Sequence, residues 1–244
     1  MSGPQSAKRL LELLRQFSVL RPVHTVEDLA ELADMPRSTA YRFVTLLRDY
    51  ELLELAGGGR YKLGPRAITM GYVARSLTDV ADVWRPVLDE LVGQTHETAL
   101  ILRRVSNYAV CVDRVESDHP VRLSFEIGRT MPLHQGAGAK VLLANSLQSF
   151  QDRYLKEEVP ARERSVLRPE LDSILDQGYA DSTSEVDPGI WATAASISQS
   201  GAEPLFALSV AIPEYRLEED QRDAVRRQVL SAAATLRTRL SQYT

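Results

Sequence analysis

Three arginines, Arg37, Arg42 and Arg48, fall within Pro36–Arg48 with no acidic side chain among them, in a chain whose formal net charge is −4. Guanidinium groups so clustered can neutralise phosphates, and a single arginine can hold guanine through two parallel hydrogen bonds. The apolar residues of this segment, Ala40, Phe43, Val44 and Leu47, recur at helical spacing,. Arg37, Ser38, Thr39, Tyr41, Arg42 and Thr45 are thereby left mainly on the opposite face, the one a helix must present in a DNA major groove. Arg60 and Lys62 add two cations after a run of glycines, where a hairpin would meet the phosphate backbone. A merely solvated amphipathic helix pair is the plainer alternative, but the ordered coincidence of these features favours double-stranded DNA as the partner.

Other spacings invite catalysis less convincingly. Glu185 and Asp187 form a carboxylate pair open to general acid–base work, yet Pro188-Gly189 marks a turn, and turn hydrogen bonds explain the pair more economically,. His134 could act as a base on Ser124 or Ser209, but no serine has the GxSxG elbow around it. Lys140 could attract an anion, pair with an acid or lie at the surface. Cys111 stands among Ala109, Val110 and Val112, surroundings that raise a thiol pKa, so it reads as a small buried apolar residue,. A lone cysteine and four unpaired histidines imply no disulfide, no metal and no cofactor,. The expectation is therefore a non-enzymatic switch. A small-molecule hydrolase with a DNA-binding appendage is the alternative, and a ligand-free architectural DNA binder is a third class.

Local signals place the elements that position these residues. Thr25, followed three positions on by Asp28, predicts a capped helix from Val26 to Ala33. Asp34-Met35-Pro36 breaks it, and Pro36 suits the first turn of a second helix reaching Asp49. A leading helix spans Ser6 to Phe17, with Leu10, Leu13, Leu14 and Phe17 on its apolar side. Leu52–Leu55 and Arg60–Leu63 read as strands around Ala56-Gly57-Gly58-Gly59, whose glycines permit positive φ. Residues 1–64 thus outline a winged helix-turn-helix domain, and 65–78 a linker. The linker helix, Pro65 to Leu77, carries Ile68, Met70, Tyr72, Val73 and Leu77, apolar surface that a second copy of the chain could cover.

From residue 79 to 244 the pattern is α+β. A helix (Val80–Val92) precedes strands at Thr98–Arg103, Tyr108–Val115 and Val121–Phe125. A loop covers Gly128–Gly138, and a helical stretch runs from Ala139 to about Leu155. Another helix lies near Pro169–Gln177, followed by strands at Thr193–Ser198 and Leu205–Ile212. A long helix, Glu218–Tyr243, ends the chain, with Val225, Val229, Ala232, Leu236 and Leu240 along one side. Strands arriving in runs imply a largely antiparallel sheet flanked by helices rather than a doubly wound parallel one.

Composition limits the function classes. At 244 residues and 44% hydrophobic content, two cores are expected,. No apolar run approaches the ~20 residues of a membrane span, and the N-terminus lacks the apolar core of a signal peptide, so a cytoplasmic location is expected. Residues 1–65 carry nine Lys or Arg against eight Asp or Glu, and the rest of the chain 20 against 25. Any DNA affinity must then come from a local patch.

In this order the segments resemble the IclR family of bacterial transcriptional regulators over nearly the whole chain. Pro36-Arg37-Ser38-Thr39-Ala40-Tyr41-Arg42 and Tyr61-Lys62-Leu63-Gly64 are similar to its DNA-binding half. Pro132-Leu133-His134, Lys140-Val141-Leu142-Leu143-Ala144, Gly178-Tyr179, Glu185-Val186-Asp187-Pro188-Gly189-Ile190 and Ala194-Ala195 are similar to its effector half. The resemblance implies a GAF-like C-terminal domain that binds a small molecule, a homodimer or tetramer, and an approximately palindromic operator through which an operon, commonly a catabolic one, is repressed or activated, with a repressor the expectation here. It also places the effector site at Ser182, Ala192, Ser209 and Ala211, with the loop residues His134, Gly136 and Ala137 and with Ile190 beside them. Members that bind small oxo-acids have more polar or larger groups where Ala192 and Ala211 stand here. The expected pocket is accordingly wider and less polar, suited to an aromatic acid or acyl compound. Trp191 could be either a pocket wall or ordinary core.

Overall fold

The computed structural model describes residues 5–18, 21–76, 81–120, 125–198, 205–218 and 221–241, and the chain divides into two compact units, Met1–Asp79 and Val80–Thr244. The expected strand at Val121–Phe125, the helix start at Val80, Leu77, Ser124 and Tyr243 lie wholly or partly outside the described residues.

The first unit consists of α1 (Gln5–Leu14), β1 (His24–Thr25), α2 (Val26–Leu32), α3 (Arg37–Asp49), β2 (Leu53–Gly57), β3 (Arg60–Leu63) and α4 (Pro65–Ser76). Helix α2 starts on a reciprocal cap: the Thr25 hydroxyl accepts from the Asp28 N–H at 3.1 Å, and the Asp28 carboxylate accepts from the Thr25 N–H at 2.9 Å,. That backbone hydrogen bond holds the Asp28 carboxyl below its usual pKa. Asp34 then turns the chain at φ 46°, and Pro36 precedes α3. Leu13, Val26, Leu29, Ala40, Val44 and Leu47 bury the three-helix core. Gly57, Gly58 and Gly59 all take positive φ (88°, 60° and 71°), so the tight wing needs the freedom that a Cβ removes,. One strand was not legible in the sequence: β1 pairs with β3 to give a three-stranded sheet ordered β1-β3-β2. Two residues carry no periodicity to read.

The second unit runs α5 (Ala81–Thr95), β4 (Thr98–Val105), β5 (Tyr108–Val115), β6 (Thr130–Pro132), α6 (Ala137–Ala144), α7 (Gln148–Glu158), α8 (Ala161–Gln177), β7 (Tyr179–Thr183), β8 (Ile190–Ser196), β9 (Phe206–Pro213), a 3₁₀ turn at Glu214–Arg216, and α9 (Gln221–Leu240). Its strands form one antiparallel sheet ordered β6-β5-β4-β9-β8-β7. Every residue of β9 is buried, because the sheet is covered on both faces,. Leu208, Val210 and Ile212 face a core shared with Leu88 of α5 and Val229 and Leu236 of α9. Ala207, Leu100 and Leu102 face the other core, with Leu142 of α6 and Leu171 of α8.

Several sequence expectations are corrected here. The single helical stretch from Ala139 is two helices, since the Gln151 amide donates to the Ala144 and Ser146 carbonyls at 2.9 Å each and closes the break between them. Helix α8 starts at Ala161 and continues through Pro169, where burial of Leu167, Leu171 and Ile174 offsets one forfeited backbone bond,. Strand β6 lies inside the expected loop, and β7 follows the αL cap at Gly178; both are short segments held by pairing rather than by alternation.

Candidate functional site

On the first unit, α3 turns Arg37, Ser38, Tyr41, Arg42 and Thr45 to solvent, while Thr39 is half-buried. Among the described residues, neither Arg37 nor Arg42 is engaged in an ion pair or hydrogen bond within the chain. Tyr41 differs: its hydroxyl donates to Glu27 Oε1 at 3.0 Å, which ties α3 to α2 and raises the phenol pKa. On the wing, Lys62 pairs across the β2–β3 register with Glu54 at 3.0 Å, so part of its charge is already neutralised. Arg60 is exposed and has no such partner among the described residues. The surface is a polar helix face with two unspent guanidinium groups and a third on the hairpin.

On the second unit, antiparallel register brings distant residues side by side. Ser182 on β7 pairs with Ala192 on β8, which pairs with Ala211 on β9; Ser209, two residues before Ala211, pairs with Leu100 on β4. Their common face and the start of α6 enclose a cavity lined also by Leu102, Phe125, Met131, Gly136, Ala137, Gly138, Val186, Asp187 and Ile190. It holds about 430 Å³ of empty space counting its open mouth, but the centres of water molecules can reach only about 40 Å³ of it. Such a slot takes a thin occupant or widens to receive a thicker one.

The cavity's polar groups are few. The Ser182 hydroxyl accepts from the Ala137 N–H at 3.0 Å and so keeps its own proton to donate,. The Ser209 hydroxyl donates to the Thr193 carbonyl at 3.1 Å and so keeps its acceptor capacity,. Gly136, at φ 86°, places the first turn of α6 against this wall,. Among the described residues Asp187 is the only charged one in the lining, and Arg129 holds both its oxygens, at 2.8 and 3.0 Å.

Glu185 and Asp187 therefore diverge. One oxygen of Glu185 accepts from the Gly136 N–H at 2.8 Å, and the other takes a hydrogen bond from Lys140 at 2.7 Å. Lys140 is 3% exposed and also binds Glu170 at 2.5 Å. Of the three roles open to Lys140 in the sequence, pairing with acids is the one the structure displays.

Seven of the eight sequence-chosen effector residues line this one cavity; His134 does not. It borders a neighbouring cleft with Lys140 and Glu170, and its Nδ1 lies 2.9 Å from the Tyr154 hydroxyl. Burial lowers the His134 pKa and pushes the Tyr154 phenol up to about 12. Trp191 belongs to the opposite core, because it is one residue out of phase with Ala192,. Sequence reasoning passed over Leu100, Leu102, Phe125, Met131 and Val186 as cavity walls. Alternation along β4 was the one available signal, and it does not say which face is hollow.

Among the described residues no nucleophile and base meet here. Ser209 is bonded to a backbone carbonyl and His134 to Tyr154, while burial pushes the Cys111 thiol up to about 12. Among the described residues no group of three metal-binding side chains occurs, and no helix is long and apolar enough to cross a membrane.

Comparison with known proteins matches two stretches of the chain. Residues 72–238 match the family described as bacterial transcriptional regulator IclR C-terminal, and residues 6–56 match the IclR helix-turn-helix domain. The HTH-type transcriptional regulator KipR of Bacillus subtilis is 28% identical over 220 residues, covering 87% of this chain and 88% of the relative. The transcriptional repressor IclR of Escherichia coli is 25% identical over 239 residues, covering 94% and 87%. Among solved structures, an IclR family transcriptional regulator from Brucella abortus superposes with a TM-score of 0.82 at 19% identity, covering 97% of this chain and 92% of its own. An IclR homologue from Microbacterium hydrocarbonoxydans, solved in complex with 4-hydroxybenzoate, gives 0.77 at 20% identity, covering 97% and 99%.

Proposed function

The chain belongs to the IclR family of bacterial transcriptional regulators, and from that premise we propose that it represses a catabolic operon and is controlled by a small aromatic acid or related acyl compound. The family's members are regulators, not enzymes, with a helix-turn-helix for DNA and a C-terminal domain for an effector. The observation that carries the effector class is the register trio Ser182, Ala192 and Ala211, which leaves the sheet wall apolar apart from hydroxyls at Ser182 and Ser209. Apolar walls with a few fixed polar groups suit a flat apolar body with one polar head. The 4-hydroxybenzoate complex of the Microbacterium homologue supports the same chemistry.

In this reading Arg37, Ser38, Thr39, Tyr41, Arg42 and Thr45 meet the major groove, and Arg60 and Lys62 meet the backbone. Two copies joined through α4 read an approximately palindromic operator, and dimers pair into tetramers. Ile68, Met70 and Tyr72 of α4 are 73%, 54% and 73% exposed, apolar area that such a partner would cover,. The protein works in the cytoplasm. The effector acts by binding one arrangement of the assembly better than another, and shifts DNA affinity by no more than that difference.

The deciding experiment measures binding to the chain's own upstream DNA at fixed salt, titrated with aromatic acids, aromatic amides and glyoxylate. Release or tightening by an aromatic compound is the expected result. A response to glyoxylate with none to the aromatics rejects the effector class, and DNA binding that no compound alters rejects the switch.

A further inference from the structure

Among the described residues the cavity has one charged wall, Asp187, and that wall is itself neutralised. Arg129 donates to Asp187 Oδ1 at 2.8 Å and to Oδ2 at 3.0 Å, a two-pronged pair between residues 58 positions apart. The guanidinium is also fixed a second way. Its carbon lies 4.4 Å from the ring centroid of Phe125, another cavity wall,. Arg129 does not itself line the cavity, but it is held directly behind two residues that do, Phe125 and Asp187, and only one of these supports is the ion pair.

While Asp187 occupies the guanidinium, a carboxylate entering the slot finds no free cation among the described lining residues, and the Ser182 hydroxyl alone offsets little of its desolvation,. Lys140 offers no relief, because Glu170 and Glu185 already hold it beneath the loop. Arg129 is the remaining cation bonded to a lining residue among the described residues. The segment around Asp187 does not depend on that ion pair alone. Glu185 is anchored to Gly136 and Lys140, and the Ser184 hydroxyl donates to Glu214 at 2.8 Å and accepts from the Gly189 N–H at 2.8 Å.

We propose that Arg129 is the specificity-determining counter-ion for an anionic effector, and that Asp187 is a built-in competitor which the effector's carboxylate displaces from it. This rests on the reading of the cavity as the effector site. The exchange substitutes one carboxylate for another on the same guanidinium, so charge is conserved at Arg129, and Asp187 is released toward solvent, to which it is already 35% exposed,. Neutral molecules of the same shape gain nothing from the exchange.

Calorimetry on the full chain with benzoate and its neutral isostere benzamide tests the proposal in the wild type, Arg129→Gln and Asp187→Asn. Asp187→Asn should tighten benzoate about tenfold, and Arg129→Gln should weaken it about tenfold, the scale of a charge-assisted hydrogen-bonded pair. Benzamide should stay within about twofold in both variants, given that it makes no exchange. Equal shifts for the two ligands, or weaker benzoate binding by Asp187→Asn, overturn the assignment. Should Arg129→Gln fail to fold, Asp187→Asn alone decides by the same criterion. Wild-type binding of benzamide without benzoate sinks the Arg129 assignment and leaves the effector site standing. Binding of neither, with DNA affinity unmoved by the whole acid and amide panel, sinks both.

Discussion

Helix α3 of the first unit and helix α6 of the second both begin at a residue that offers no side-chain cap, Pro36 and Gly136, yet α3 keeps a polar face in solvent while every residue of α6 is buried. The two arginines on the exposed face of α3 are unspent; the one charge on α6, Lys140, is held by two carboxylates. An exposed cation can be recruited by an outside partner at little desolvation cost, whereas a buried one must be neutralised within the fold. The same element type thus gives an exposed polar face in one unit and a structural wall in the other.

This contrast makes mutational effects separable, beginning with the largest. Lys140→Met should lower the unfolding free energy of the second unit by about 3 kcal/mol in urea titration, the low end for breaking a buried ion pair. The low end applies because Glu170 and Glu185 are 38% and 33% exposed and regain water. A loss near zero would put α6 in the same class as α3.

Arg42→Ala should leave unfolding unchanged and weaken operator binding by about 2 kcal/mol, if the side chain reads a base. Equal losses on operator and random DNA would assign it to phosphate and sharpen the division of labour along α3. Arg60→Ala should be milder, weakening both DNAs and reducing the salt slope by about one. An unchanged slope removes the wing from the contact surface. Lys62→Ala should do less than Arg60→Ala, since Glu54 already shares its charge.

The smallest effect concerns pH. Burial lowers the His134 pKa from 6.5, so below 6.5 the unfolded chain binds more protons than the folded one,. Its share of stability is complete above pH 6.5 and is lost as pH falls from there toward the folded value. His134→Gln should flatten that part of the pH–stability curve; an unaltered curve would mean that the ring is not held neutral.

What was legible in the sequence was local. The Thr25–Asp28 cap, the glycine tip of the wing and the amphipathic stripe of α3 are each set by contacts within a few residues, and each is found as expected. The seven cavity residues that come together were found through resemblance to a family rather than from periodicity. His134 joined them through the same resemblance, in Pro132-Leu133-His134, but the chain turns between His134 and Gly136 and sends the two to different cavities.

By itself, then, the sequence determined an α+β chain in two parts, its antiparallel sheet, and which face of α3 is polar, because helical and strand periods are properties of neighbouring residues. Tertiary structure alone decided that Lys140 would be neutralised, that Trp191 would turn away from the cavity and that Arg129 would meet Asp187. Those outcomes depend on strand register and on the closure of loops of 30 to 58 residues. No local period encodes which distant carboxylate ends up beside a given cation.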